Sequence, residues 1–274
     1  MGKSFQDNYG FGSDAPLVDM ADFAGWIIFE DENFLVVDKP GWLVCHPSKN
    51  GPRSSLVGAA REYLGAEVLH LVSRLDRETS GVVVLAKNHS AASAAQRAVD
   101  LGGCAKKKYL AILRGRLPGQ VTVSQPLSDD KNSLVAIKTC CAVQKPSARP
   151  AVTVFSPVSH SGNGDFEECT LAEVELLTGR KHQIRAHAQW IGHQVVADKI
   201  YGPDETLYLD FIEKGFTDDM AKLLPIRRQA LHAYELDLSG ISGGGVYRAP
   251  FPEDLMEFAR SRGLDVPGRF RGAC

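Results

Sequence analysis

The chain has 274 residues, 44% of them hydrophobic and 23% charged, and a formal net charge of −2. This balance excludes wholesale disorder and leaves length for one large domain or two modest ones around a buried core. It also excludes an overall basic protein, so a polyanionic partner has to be held by a local basic surface.

Residues 1–22, rich in Gly, Asp and Ser, read as a loose lead-in to a single domain over 23–274. WIIFEDENFLVVDKP, residues 26–40, places two β-branched and aromatic runs around the polar turn EDEN and predicts a hairpin. SSLVGAAREYLG predicts a helix that Gly65 ends. VLHLV (68–72) and VVVLAK (82–87) are apolar enough for central strands. An Ala-rich helix follows, with Asn88 or Ser90 as its cap and Gly102 past its end. KKKYLAILRGRL, SLVAIKTC and CTLAEVELLTG alternate like strands. KHQIRAHAQWIGH carries Ile184, Ala188 and Ile191 at helical spacing, with Gly192 as terminator. LYLDFIEKGFTDDMAKLL is amphipathic and helical in parts, RQALHAYELDL returns to strand, and PEDLMEFARSRG is a last helix with Pro252 near its first turn. Strands and helices alternate without a strict βαβ rhythm, so the expected class is α+β, with a mixed, largely antiparallel central sheet, flanking helices and a cleft. The six cysteines, Cys45, Cys104, Cys140, Cys141, Cys169 and Cys274, form no CxxC pair. Free thiols, no membrane-length apolar run and no signal-peptide core point to a reducing cytoplasm.

Three stretches carry candidate chemistry. SRLDRETSG, residues 73–81, sets Asp76 between Arg74 and Arg77 just before an apolar strand. One reading is a structural ion-pair cluster in a capped turn. The other is a fixed carboxylate, kept ionised by its cationic neighbours and able to act as nucleophile or base. TGRKHQIRAHAQWIGH, residues 178–193, gathers Arg180, Lys181, His182, Arg185 and His187 at a strand-to-helix junction. Cations at a helix N-terminus oppose its dipole, so an anionic partner is expected, either phosphate or a buried carboxylate. His182 and His187 lie roughly 140° apart around a helix, and no HExxH spacing occurs, so a metal site is rejected. CAKKKYLAILRGRL places Lys106, Lys107 and Lys108 before Tyr109, with Arg114 and Arg116 beyond. Cations with an interleaved ring suit single-stranded RNA. The alternative is a lysine-guarded edge strand with Tyr109 in the core. The Gly-rich stretches lack the strand–GxGxxG–helix context, so no nucleotide cofactor is expected.

RLDRETSGVVVLAK, the K-x-Y of Lys107–Tyr109, TGRKHQIRAH and RQALHAYEL occur here in the order shown by the A-type family of bacterial ribosomal large subunit pseudouridine synthases. VVDKPGWLVCHP resembles that family's opening strand and turn, and the similarity spans roughly residues 26–238. The resemblance implies an isomerase that converts uridine in rRNA or tRNA to pseudouridine without cofactor or metal. It implies Asp76 as the catalytic aspartate, Arg185 as its salt-bridge partner and Tyr109 as the ring that stacks on the target uracil. Arg74 is implied beside the flipped nucleotide and Leu231 in the uracil pocket, while Lys106, Lys107, Lys108, Arg180 and Lys181 are expected to hold RNA phosphates. The family usually has His where this chain has Ser73, and Gly-Asp where it has Ala197-Asp198. No stretch resembles the separate N-terminal RNA-binding domain of some members, so recognition is expected to rest on the catalytic domain or on the fold of the RNA. A monomer is expected. The rival reading is a non-catalytic RNA-binding or ribosome-assembly factor on the same fold.

Overall fold

The computed structural model describes residues 16–46, 51–100, 105–162 and 167–272. Within them the chain opens with helix α1 (Met20–Gly25), whose cap Asp19 accepts a hydrogen bond from the Ala21 N–H. Part of the segment read as a lead-in is therefore ordered, with Val18 buried ahead of the helix. Strands β1 (Ile27–Glu30) and β2 (Phe34–Lys39) make the expected hairpin, its turn held by the Asp31 carboxylate on the Asn33 and Phe34 amides. Helix α2 (Leu56–Leu64) starts on Ser55, whose hydroxyl accepts from the Gly58 N–H. It ends at Gly65, where φ is 60°, the left-handed conformation glycine adopts without a Cβ penalty. Strands β3 (His70–Leu71) and β4 (Ser80–Ala86) precede helix α3 (His89–Asp100), capped by Asn88 through the Ala91 N–H. Gly102 lies outside the described residues.

Strands β5 (Lys106–Arg114), β6 (Val121–Ser124), β7 (Leu127–Asp129), β8 (Thr139–Cys141), β9 (Val152–His160) and β10 (Cys169–Leu176) follow. Then come helices α4 (Gln183–Trp190), α5 (Thr206–Lys214) and α6 (Asp218–Leu223), strands β11 (Leu231–Asp237) and β12 (Val246–Arg248), and helix α7 (Glu253–Ser261). The main sheet runs β1-β2-β4-β11-β5-β10-β9-β6, with β12 on β11 and β3 on β4; β7 and β8 form a separate ribbon. Its pairs are antiparallel except β4 with β11. The architecture is thus α+β with a mixed, mostly antiparallel sheet. β4 is buried at every position, as a β-branched strand covered on both faces should be. Val83 and Leu85 face a large core shared with α1, α2, α4 and α7, while Val82 and Val84 pack with the alanines of α3. Among the described residues no helix is long and apolar enough to cross a membrane.

Two expected strands are cut short, for identifiable reasons. VLHLV keeps only His70–Leu71 in strand, paired with Leu85 and Ala86. The other end of that edge of β4 is taken by β11, which pairs with Ser80 and Gly81. Of SLVAIKTC only Thr139 and Cys140 are in strand, at the start of β8. The Ser133 hydroxyl, the Leu134 N–H and the Lys138 ammonium all converge on the Glu205 carboxylate, which bends that segment out of any ladder. Strands β6 and β9 went unread in the sequence.

Candidate active site

Residues 74–79 form a tight turn, with the Thr79 N–H donating to the Asp76 carbonyl at 3.1 Å, and β4 carries it away. The turn is gripped from several elements. The ammonium of Lys39, wholly buried at the end of β2, donates to the carbonyls of Pro40, Leu43 and Arg77. Burial pushes its pKa down to about 8. Arg77, without a derivable role in the sequence, donates its Nε to the Trp42 carbonyl at 3.0 Å. Arg228 donates to the Glu78 carbonyl, Lys199 pairs with the Glu78 carboxylate, and Gln229 donates to the Thr79 hydroxyl. Behind them Gly81 has a φ of 111°, and a Cβ there would sit 2.2 Å from the Ala233 carbonyl oxygen. Only glycine lets β11 come this close.

The second stretch closes onto the first. α4 starts at Gln183, whose amide accepts from the Thr178 hydroxyl and the Arg180 N–H and donates to Val152 and Thr153 of β9. Two residues later Arg185, 4% exposed, extends one guanidinium to two carboxylates. Its Nη1 is 2.9 Å from Asp76 Oδ2, and Nε and Nη2 hold Asp198 at 2.6 and 2.8 Å. Asp198 also accepts the N–H groups of Ile200 and Tyr201. The guanidinium carbon lies 5.0 Å from the centre of the Tyr201 ring. Asp198 is the buried carboxylate expected as a counter-charge, and the partly exposed Asp76 is a second.

Asp76 is held differently from Asp198. Its side chain is 30% exposed, and among the described residues the charged or titratable partner of Oδ1 within 4 Å is His182 Nε2, 3.8 Å away. Burial alone would raise its pKa, but the charges of His182 and Arg185 outweigh it, so the carboxyl stays below the ordinary carboxylate range. His182 itself is pushed down to about 4 by burial. At neutral pH the imidazole is therefore uncharged, and the guanidinium alone sustains the carboxylate. The ring is set by the Tyr201 hydroxyl, 3.1 Å from Nδ1, on a backbone with φ of 55°. His187, by contrast, bridges Thr153 and Gln125 and is structural.

Asp76, Arg185, Tyr109, Arg74, Leu231 and Arg180 line one cavity. Tyr109 reaches it from β5, half buried, with its phenol pKa raised by burial first and by the Asp76 charge second. Leu231 reaches it from the start of β11. The lysine run is not brought together. Strand alternation puts Lys107 on the face of Tyr109 and Lys106 and Lys108 on the other. Lys107 is buried, with its ammonium against Gly179. Lys108 lies near Glu173 and Glu235 on the far face of the sheet, away from Tyr109. Lys181 pairs with Asp129. Ser73 is not among the residues lining the cavity. Ala197 has a φ of 58°, a backbone that the family's usual glycine adopts without strain. Sequence reasoning assigned no role to Asp198, Tyr201, Lys39 or Gln183, although Lys39, Gln183 and Asp198 lie in segments that carry the family resemblance. Among the described residues no group of three or more His, Cys, Asp or Glu side chains could hold a metal ion.

Comparison with known proteins gives the same picture. The RNA pseudouridylate synthase family matches residues 33–190. The chain is 32% identical over 249 residues to the Vibrio vulnificus protein named ribosomal large subunit pseudouridine synthase D, covering 88% of this chain and 71% of that protein. It is 35% identical over 185 residues, 65% of this chain, to a mitochondrial tRNA pseudouridine(32) synthase of Saccharomyces cerevisiae, and spans 37% of that protein's length. It spans 56% of a Mycoplasma pneumoniae relative named as an uncharacterized RNA pseudouridine synthase, to which it is 39% identical over 66% of this chain. The fold of human RNA pseudouridylate synthase domain containing 4 superposes with a TM-score of 0.67 at 24% identity, over 91% of this chain and 97% of that one. With more than half of its residues matched, the chain belongs to the RNA pseudouridylate synthase family.

Proposed function

We propose that the protein isomerises uridine to pseudouridine in a structured RNA, rRNA or tRNA, with Asp76 as the catalytic carboxylate. The observation that carries this reading is the asymmetry of Asp76: one oxygen is bound by Arg185 while the other faces a cavity also lined by Tyr109 and Leu231. In this reaction the N1–C1′ bond breaks, the uracil turns while bound, C5 joins C1′, and the C5 hydrogen leaves to water. Two roles are open to the carboxylate, attack at C1′ or removal of the C2′ proton, and both need it ionised at neutral pH. Arg185 meets that need and fixes its direction.

The nucleotide must leave its stack, at a cost of a few kcal/mol that is lower in a loop than in a duplex. Tyr109 stacking on the uracil returns about 1–3 kcal/mol of it. Leu231 forms the apolar wall of the uracil site, and Arg74 and Arg180, at its rim, hold the flanking phosphates. The reaction moves no electrons to or from an acceptor, so the proposal includes no cofactor. It also takes the protein as a monomer working in a reducing cytoplasm, which suits the free thiols of Cys45 and Cys169.

Incubation with RNA tritiated at uridine C5 tests the assignment, because only isomerisation releases the label. The wild-type protein is expected to release tritium, and Asp76→Asn is expected to release none while binding the same RNA. Release at the wild-type rate by Asp76→Asn would falsify the role of Asp76. RNA binding without release by the wild-type protein would favour a binding-only factor.

A further inference from the structure

Beside the cavity at Asp76 lies a larger groove, which joins Arg74, Arg180 and Lys181 to cations of a segment that the motifs leave out. One wall is the segment 127–149, containing β7 and β8; the other is formed by residues 179–181. Six cations line it: Arg74, Lys131, Lys145, Arg149, Arg180 and Lys181. A single carboxylate, Asp129, faces them and is taken by Lys181. Among the described residues the other five have no ion-pair partner. Several surface cations elsewhere are paired, Arg53 with Glu62, Lys87 with Glu30, Arg114 with Glu167 and Arg260 with Glu253, and what sets the groove apart is the concentration of unpaired ones. A chain of net charge −2 thus keeps a concentrated, uncompensated positive field on one face.

The groove wall is built rather than loose. Leu127, Val135 and Ala151 pack with Ala186 of α4 and with Ile200 and Tyr201. A bridge between Leu127 and Arg149 closes the base of the segment, and Glu205 ties Ser133, Leu134 and Lys138 down. Arg74 and Arg180 line both the groove and the cavity at Asp76, so the two spaces adjoin. The groove measures about 510 Å³ against about 70 Å³ for the cavity, so of the two it is the groove that has room for a length of chain. No aromatic ring lines the groove, so it offers nothing for bases to stack on.

We propose that this groove is a phosphate track, in which Lys131, Lys145 and Arg149 hold the backbone of the RNA strand that continues from the nucleotide extruded beside Asp76, without reading its bases. The proposal rests on the RNA-modifying reading above and adds the path of the strand. Backbone contacts make binding salt-dependent, with a slope of about −0.7 in log K against log salt per single-strand phosphate. At 0.1 M salt each contact is then about five-fold in Kd.

The test uses two fluorescein-labelled RNA stem–loops, one with an all-uridine and one with an all-adenosine loop, and the Lys131→Ala, Lys145→Ala, Arg149→Ala triple variant. Binding is expected to weaken about a hundred-fold at 0.1 M salt, with the slope shallower by about 2, equally for both loops. Lys131→Arg, Lys145→Arg, Arg149→Lys is expected to restore binding, and Lys222→Ala with Arg260→Ala to leave it unchanged. An unaltered Kd and slope in a triple variant that melts like wild type overturns the track, as does a loss confined to one loop sequence. Tritium release by the wild-type protein separates the outcomes. Release together with an unaltered triple variant removes only the groove; no release with a salt slope lost in the triple variant removes the isomerase reading and keeps the groove.

Discussion

Arg185 serves two masters unequally. Asp198 receives two guanidinium contacts and two backbone N–H bonds, while Asp76 receives one contact and keeps an oxygen open. For Asp198 burial would raise the pKa, but the guanidinium and the N–H bonds outweigh it and hold the carboxyl below the ordinary range. Asp198 is thus the anchor that aims the guanidinium, and Asp76 the group it serves. Asp198→Asn leaves a buried cation half compensated, and such losses cost about 3–5 kcal/mol. The urea midpoint is expected to fall accordingly, and tritium release to fall further than RNA binding, because Arg185 is no longer oriented. Asp76 stood out as a candidate in the sequence because its arginines and the following strand are contiguous, though those residues left a structural ion pair equally open and the family resemblance supplied the role. Asp198 did not stand out, since its partner lies 13 positions away and nothing in VADKIYG marks an acid for burial.

At the scale of elements, the catalytic turn is rigid because buried donors from elsewhere in the chain satisfy its carbonyls. Lys39, three of whose contacts are carbonyls, joins the end of β2 to residue 77. Lys39→Met keeps the apolar stem but orphans those acceptors, at about 1–3 kcal/mol each. A displacement of the turn by about 1 Å costs on the order of a hundred-fold in rate. The expected outcome is a sharply lower single-turnover rate with Kd for the stem–loop RNA within about two-fold, since Lys39 lies outside the basic groove. Unchanged turnover would show that the turn stands without this clamp. Elements announced by local chemistry were legible: the hairpin with Asp31 in its turn, α2 between Ser55 and Gly65, and α3 behind Asn88. SLVAIKTC misled by its alternation and VLHLV by its apolar run, while the available edges and the Glu205 carboxylate decided otherwise.

For the molecule as a whole, the parallel contact between β4 and β11 joins the catalytic turn to the distant half of the chain. His232 sits in that contact, wholly buried, beside the Ser80 hydroxyl and the Ala249 carbonyl. Burial pushes its pKa down to about 3, and that of His182 to about 4. Both are below the unfolded value near 6.5, so the unfolded chain binds protons first. Stability is then fully present above pH 6.5 and declines on acidification toward pH 4, by up to about 1.4 kcal/mol per pH unit for each histidine. Urea titrations at pH 7 and pH 4.5 are expected to show this loss, and His232→Gln, though less stable at pH 7, to show a smaller one. An equal pH dependence in the variant would exclude His232 as a source.

By itself the sequence determined the hairpin, the capped helices, the α+β class and the contiguous motifs around Asp76, Tyr109 and Arg185, because each depends on neighbours within a turn or two. Tertiary structure alone decided that Lys108 turns away to two glutamates, that Asp198 shares the guanidinium, and that cations from the 127–149 segment line up with Arg74 and Arg180. The physical reason is that a buried charge is defined by its partner, and here the partners come from strands and turns far apart along the chain.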